Sequence, residues 1–252
     1  MPNKEKVTQI THWSNNSFSF RTTRKFPNRF NNGEFTMIGL EHEGRNIMRA
    51  YSIASANHEN HLEFLSIKIK DGPLTSKLQK IKIGDEILVN SKSTGTLTID
   101  YLRPGKNLYL ISTGTGLAPF MSIIKDPNTY ENFEKIILTH TVSFPSQLAY
   151  LEELSNFNNE WNFITRDNFT YFNTVTRSAW TNTGRITEWI KKKKLHLAVG
   201  CDPINAKLDK IMICGSLGLN KDLIKYCKDL GMIEGNTSTP GDFVVEKAFV
   251  EK

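Results

Sequence analysis

Cysteine is scarce in this chain of 252 residues, and the three present, Cys201, Cys214 and Cys227, are odd in number and lack CxxC spacing. Such a set builds neither a disulfide framework nor a zinc or iron–sulfur cluster, and it predicts a reducing, cytoplasmic setting. Long apolar runs are also lacking. Nowhere do about 18 apolar residues follow one another, and the opening MPNKEKVTQITHW has no apolar core after its charges, so neither a membrane span nor a signal peptide is expected. The 6 histidines form no HxH or HExxH arrangement, and no Ser/His/Asp order of a hydrolase is evident, so no metal site is expected. With 9 prolines, 16 glycines and no tract more biased than Lys191 to Lys194, collagen-like, low-complexity and disordered chains are excluded. The four lysines follow Thr187-Glu188-Trp189-Ile190 at a helix end, where cations complement the helix dipole.

Acidic residues are the minority charge: 26 Asp and Glu stand against 32 Lys and Arg, a net charge of +6. That sign attracts an acidic protein or a polyanion. No zinc-finger, RRM or helix-turn-helix signature accompanies it, so a nucleic-acid partner is not expected.

Two patterns divide the chain. Up to about residue 103, short runs (VTQITHW, FSFRTT, EFTMIGL, RAYSIAS, HLEFLSIKI, DEILVNS) show partial alternation and are separated by Gly, Asn and Pro. In LEFLSIKI, Leu65, Ile67 and Ile69 are expected on one face, Ser66 and Lys68 on the other. Six such runs predict an antiparallel β-barrel or sandwich. After Arg103-Pro104-Gly105 the apolar runs NLYLIS, KIILTH and IMIC are each followed by a helix-like stretch, the β-α alternation of a parallel sheet covered on both faces. The helical candidates are LAPFMSIIK, SQLAYLEELS, TEWIKKKK and NKDLIKYCKDL; Asn156 to Asn182 fits no single pattern. The expected fold is a barrel over 1–103 and an α/β domain over 104–252.

Two strings can carry chemistry. Thr113-Gly114-Thr115-Gly116 lies between a strand and a helix, where glycines let the backbone turn and approach a phosphate; the third glycine of the GxGxxG fingerprint is absent. Arg49-Ala50-Tyr51-Ser52 combines a phosphate-binding fork, a flat ring and a hydroxyl able to meet a ring nitrogen.

In this order, RAYSIAS, HLEFLSIKIKDGPLTSKL, GTLTID, LYLISTGTGLAPFMSII, ILTHT, GRIT, MICGS and GDFVVEKAFV resemble the bacterial ferredoxin (flavodoxin)–NADP reductases, within the plant-type flavin reductases. The match spans nearly the whole chain and weakens between Phe144 and Asn182. The resemblance implies that the barrel binds FAD, that the α/β domain binds NADPH, and that the flavin lies between them. Arg49 would then meet the pyrophosphate, with Ala50 beside it, Tyr51 would pack on the ring system and Ser52 would face the flavin N5. Leu65, Ser66, Ile67, Lys68, Pro73, Leu74 and Thr75 would wrap the same cofactor. Thr113, Gly114, Thr115 and Gly116 correspond to the loop under the NADP pyrophosphate and nicotinamide, with Thr115 also near the flavin. Cys214, Gly215 and Ser216 would wall the nicotinamide site, Cys214 as a thiol and not as a nucleophile.

The same resemblance nominates Val142, Ser143, Thr176, Arg177 and Arg185 for the adenosine 2′-phosphate. One departure stands out, because relatives often carry Arg where this chain has Ser143. Past the parallel sheet, Ala248 would cover the flavin face open to nicotinamide, Phe249 would pack nearby, and Glu246 would relay a proton or organise the site. The implied activity is hydride exchange between NADPH and FAD and single-electron exchange with ferredoxin or flavodoxin, by a monomer whose basic charge steers an acidic carrier. The alternative is an NAD(P)H reductase of the same fold that serves an oxygenase or free flavin.

Overall fold

The computed structural model describes residues 2–25 and 29–247; Ala248 and Phe249 lie outside that range. Six strands, β1 (Asn3–His12), β2 (Ser17–Thr23), β3 (Phe35–His42), β4 (Arg45–Ser52), β5 (His61–Ile67) and β6 (Glu86–Thr94), form one sheet in the order β4-β3-β6-β1-β2-β5. Every pair in it is antiparallel. Its edges approach one another where Ile53 bridges Phe64 and the Ala54 amide donates to the Glu63 carbonyl at 2.8 Å. That contact curls the sheet into the expected barrel, whose inside is filled by Val7, Phe18, Phe20, Ile38, Leu62, Phe64, Leu74, Ile87 and Val89. Residues of one parity reach this core because side chains alternate across a strand.

Strand β5 departs from simple alternation, since Leu62 through Ser66 are all buried. Leu62 and Phe64 enter the barrel core, whereas Leu65 joins a second core contributed mostly by the C-terminal half. The outward face of this strand is covered by protein, and Ile69 lies beyond the strand's end.

Five further strands, β7 (Asn107–Thr113), β8 (Lys135–Val142), β9 (Phe169–Val175), β10 (Asp209–Gly215) and β11 (Phe243–Lys247), make an all-parallel sheet in the order β11-β10-β7-β8-β9. Ile111, Ile137, Ile211 and Ile213 face the helices Ile186–Lys191 and Leu217–Asp229. Leu108, Leu110, Ile136, Leu138 and Met212 face the helix Ala118–Ile124, and their core continues into Ala54, Leu65 and Leu97 of the N-terminal half. The two halves therefore share one hydrophobic layer, which resists relative sliding.

Three local details refine the expectations. The stretch SQLAYLEELS is not one helix: Tyr150 adopts φ 58° and separates a short turn from the helix Leu151–Ser155. The helix after β10 begins at Leu217, capped by the Ser216 hydroxyl, which accepts from the Leu219 amide at 3.3 Å. Within the lysine run, the helix ends at Lys191, and Lys193 takes φ 52°.

Candidate functional site

The order of the parallel sheet reverses between β7 and β10, and crevices in open α/β sheets form at the carboxyl ends of such a strand pair. Here those ends are Thr113 and Gly215. They lie so close that a Cβ on Gly215 would meet Thr113 Oγ1 at 2.1 Å, while the Ser216 amide donates to that same oxygen at 2.9 Å. Gly116 is equally constrained, because a Cβ there would lie 2.3 Å from the Cys214 carbonyl. Gly114 is glycine for a different reason. Its φ is 55°, and a Cβ on it would meet nothing within 4 Å, so the loop is both left-handed and open on that side.

The barrel closes the crevice from the other side. The resulting cleft, with about 610 Å³ of empty space, is lined by Arg49, Ala50, Tyr51 and Ser52 of β4, by Leu65, Ser66 and Ile67 of β5, and by Ile69 and Thr75; Thr115, Gly116, Ala118 and Cys214 line it from the C-terminal half. The Tyr51 hydroxyl lies 3.0 Å from Ser66 Oγ, and its ring stands edge-on to Phe64. Both contacts fix the Tyr51 ring at the cleft wall.

Among the described residues that the sequence nominated for the flavin, three stand apart from this lining. Leu74 is buried in the barrel core, Pro73 is exposed, and Lys68 donates through Nζ to the Ser14 carbonyl at 2.8 Å. Ile69 and Ala118 line the cleft without having been singled out. Each directly neighbours or closely follows a named residue, and that proximity was the available signal.

At the bottom of the cleft three polar groups meet. Ser52 Oγ donates to Glu246 Oε1 at 3.0 Å, joining the end of β4 to β11. Glu246 Oε2 is buried with no hydrogen-bond partner, and Asn220 Nδ2 holds the Glu246 carbonyl at 3.0 Å. Burial pushes the Glu246 carboxyl up to about 7, against the opposing pull of the Ser52 hydroxyl. Cys214, in register with Glu246 on the neighbouring strand, is almost completely buried. Burial and the adjacent Glu246 raise its thiol well above the usual range, so it stays protonated. A carboxyl that titrates near neutrality beside a hydroxyl can hold or release one proton there.

The second cluster lies at the carboxyl edge of β8 and β9. The Thr176 amide donates to the Val142 carbonyl at 3.0 Å and the Arg177 amide to the Ser143 carbonyl at 2.9 Å, so these residues are neighbours. The Gly184 amide returns to the Val175 carbonyl at 2.9 Å, which brings Arg185 to the same edge. Arg177 and Arg185 are exposed, Val142 is buried and Ser143 is half-buried. Two guanidinium groups at one sheet edge suit a phosphate.

Between the two halves, Glu63 of β5 is nearly buried, accepting from the Tyr150 hydroxyl at 2.8 Å and from Arg21 Nε at 2.9 Å. Burial alone would raise its carboxyl. His61, at 3.9 Å too far for a hydrogen bond, together with Arg21, Lys125 and Tyr150 reverses that effect and holds it at about 2. Tyr150 also packs on Trp13 at 4.5 Å. Asn32 adds a 2.7 Å bond to Asp126, and the Gly33 amide donates to Ser122 Oγ at 2.9 Å. None of these spacer contacts had a recognisable signal in the sequence.

The residues present fit a flavin nucleotide. An Arg, a tyrosine ring and a hydroxyl line one open cleft, the Gly114 side of the loop is unobstructed, and Glu246 Oε2 is a buried acceptor without a protein partner. Among the described residues no group of His, Cys, Asp and Glu suited to a metal ion occurs, and no helix is long and apolar enough to cross a membrane.

Comparison with known proteins follows the same division. Residues 4–98 match the oxidoreductase FAD-binding domain, and residues 110–225 match the oxidoreductase NAD-binding domain. The chain is 47% identical to a ferredoxin–NADP reductase of Azotobacter vinelandii, with 99% of this chain and 98% of the relative covered. It is 48% identical to the ferredoxin–NADP reductase of Pseudomonas aeruginosa, with 98% of each covered. The solved ferredoxin NADP+ reductase of Neisseria gonorrhoeae, determined with bound FAD and NADP, superposes with a TM-score of 0.90 at 29% identity over 98% of both chains.

Proposed function

The chain belongs to the ferredoxin–NADP reductase family, and from that premise we propose how its own residues divide the work. It is an FAD-dependent oxidoreductase that moves electrons between NADPH and ferredoxin. The FAD supplies the chemistry that matches a two-electron hydride donor to a one-electron carrier. Everything else falls to the protein.

Arg49 binds the flavin pyrophosphate, Tyr51 backs the ring system, and Ala50, Leu65, Ser66, Ile67 and Thr75 shape the cleft around it, with Lys68, Pro73 and Leu74 supporting the turn. Thr113, Gly114, Thr115 and Gly116 seat the pyrophosphate and nicotinamide of NADPH. Cys214, Gly215 and Ser216 form the opposite wall, and the protonated Cys214 thiol restricts the nicotinamide sterically. Arg177 and Arg185, with Thr176, Val142 and Ser143, receive the adenosine 2′-phosphate. Domain work divides near Arg103, in the segment between β6 and β7.

The Ser52–Glu246 hydrogen bond carries this reading. Near neutral pH the Glu246 carboxyl exists in both protonation states. When ionised it accepts the Ser52 hydrogen bond, which leaves the Ser52 lone pairs facing the cleft; when protonated it can donate to Ser52 Oγ and free that hydroxyl to donate. The titrating proton is therefore held at Glu246 Oε1 and reaches the cleft through the Ser52 hydroxyl, which takes it up as it gives its own proton to the cleft side. Tight packing of Gly116 against Cys214 keeps the loop backbone at a fixed distance from this pair and limits the room for water.

The carrier is acidic, ferredoxin or flavodoxin, met as a transient partner by a monomer with net charge +6. The three free cysteines suit a reducing cytoplasm. The test is reconstitution: protein stripped of flavin is titrated with FAD and with FMN, for the unchanged chain and for Arg49→Ala. Preference for FAD that Arg49→Ala weakens supports the assignment. Equal binding of FMN, or an unaffected Arg49→Ala, contradicts the pyrophosphate role.

A further inference from the structure

Asn220 lies in the first turn of the helix Leu217–Asp229 and is buried. Its Nδ2 donates to the Glu246 carbonyl at 3.0 Å. A carbonyl only accepts, so flipping the amide would set two oxygens against each other. That orientation leaves Asn220 Oδ1 buried with no hydrogen-bond partner. An unpaired buried acceptor opposes folding, and an apolar side chain of similar size would avoid it. The Nδ2 contact must therefore account for an asparagine here.

That contact joins two parts of the site. Strand β11 is the edge of the parallel sheet, next to β10, and the Glu246 carbonyl is held there by a side chain. Asn220 is itself tied to the wall formed by Cys214, Gly215 and Ser216. Its backbone amide donates to the Ser216 carbonyl at 3.0 Å, and the Ser216 amide donates to Thr113 Oγ1 at 2.9 Å. The turn that closes the crevice thus also sets where Glu246 lies.

The carboxyl has little freedom around this anchor. Oε1 meets Ser52 Oγ of β4 at 3.0 Å. A Cβ on Gly95, directly after β6, would lie 3.3 Å from Oε2 and 3.4 Å from the Phe35 ring of β3, so the bare backbone of Gly95 makes room for the second oxygen. Cys214 lies across from Glu246 on β10 and keeps its proton. Glu34, beside Gly95, turns its carboxylate to Ser93 Oγ at 2.6 Å. With these groups in place, a displacement of the β11 backbone carries the carboxyl off Ser52.

We propose that Asn220 is a positioning residue for the proton step, holding the β11 backbone at Glu246 so that the carboxyl stays buried against Ser52. The proposal rests on the proton role assigned to Glu246 above. Asn220 does not line the cleft and acts through the Glu246 backbone.

The experiment uses the FAD-loaded protein and two readouts. In the first, the Glu246 carboxyl is titrated by carboxyl-carbon NMR, its signal identified by its loss in Glu246→Gln. The midpoint of about 7 in the unaltered protein is expected to fall by at least about half a unit in Asn220→Ala, because burial is the larger influence on it and a loosened strand admits water. A midpoint that stays in place or rises overturns the proposal. The second readout is the limiting rate of anaerobic flavin reduction at saturating NADPH and neutral pH. Asn220→Ala is expected to slow it about threefold to tenfold. Made in Glu246→Gln, the same substitution is expected to change the rate less than about twofold, since the group being positioned is gone. A similar loss in both backgrounds, which a merely structural role would produce, or no loss in either, overturns the proposal. Should Asn220→Ala lose flavin, Asn220→Leu, which fills the space without a donor, decides by the same rate comparison. If NADPH fails to reduce even the unaltered protein, the functional reading fails, and the Glu246 titration still decides whether Asn220 positions the carboxyl.

Discussion

Ser52 and Glu246, 194 residues apart in sequence, share a 3.0 Å hydrogen bond that ties the barrel to the last described strand of the parallel sheet. Its acid partner sits near 7 because the carboxyl is buried. Flavin reduction by NADPH should therefore change with a midpoint near pH 7, and Glu246→Gln should flatten that profile. Ser52→Ala should slow reduction about tenfold, the value of one well-placed hydrogen bond. Stopped-flow rates from pH 5.5 to 8.5 (about one and a half units either side of the midpoint) check both; an unchanged profile in Glu246→Gln contradicts the assignment.

The same carboxyl bears on stability. A folded-state value above the unfolded one means that the native chain binds the extra proton, so stability falls as pH rises from about 4.3 to about 7. Above that range the buried charge costs up to about 4 kcal/mol. Glu246→Gln should gain in Tm relative to the unaltered chain at pH 8, and that advantage should disappear toward pH 4. Thermal melts at the two pH values measure the difference.

Glu63 behaves oppositely. Its carboxyl is held at about 2, so its contribution is present above the unfolded value and is lost as pH falls from about 4.3 to 2. Tyr150→Phe removes one of its two short hydrogen bonds and leaves the buried carboxylate less satisfied. A loss of about 1–3 kcal/mol is expected at neutral pH, shrinking in acid, and denaturant unfolding at pH 7 and pH 3 reads it.

On the proposed reading, the basic edge distinguishes NADPH from NADH. Arg177→Ala and Arg185→Ala should each weaken NADPH binding about tenfold, the loss of one charged phosphate contact, and leave NADH unaffected. Ser143→Arg, which supplies the arginine that the family resemblance leads one to expect there, should increase the preference for NADPH. Parallel titrations with the two nucleotides distinguish these effects, and equal losses for NADH would place the arginines elsewhere.

Steric closeness at the loop gives a further test. Because a Cβ on Gly116 would lie 2.3 Å from a backbone oxygen, Gly116→Ala must displace either the loop or β10. It should cost about 1–3 kcal/mol and slow NADPH-dependent reduction more than it weakens FAD binding. Melting and flavin retention measured together separate the two.

Much of the architecture was legible because patterning carried it. The six short runs became β1 to β6, and NLYLIS, KIILTH and IMIC became β7, β8 and β10. Strand β9 was hidden because Phe169–Val175 mixes Asn and Thr with aromatics and sits between short helices, which blurs both periods. The helix expected through SQLAYLEELS breaks at Tyr150 because that side chain is drawn to Glu63, a partner 87 residues away. Local propensity has no means of registering such a contact. Arg49 to Ser52 and the loop Thr113 to Gly116 were nominated by their own chemistry and the other cleft residues by resemblance to a family, but the pairing of Ser52 with Glu246 arises from tertiary structure alone.

The central claim is tested most directly by rapid anaerobic mixing of the FAD-loaded protein with NADPH, with NADH, and then with an oxidised ferredoxin at increasing salt. The account predicts faster bleaching of the flavin by NADPH than by NADH, followed by reoxidation by ferredoxin at a rate that falls as ionic strength rises. Equal reduction by both nucleotides, with ferredoxin unable to accept the electrons, would contradict it.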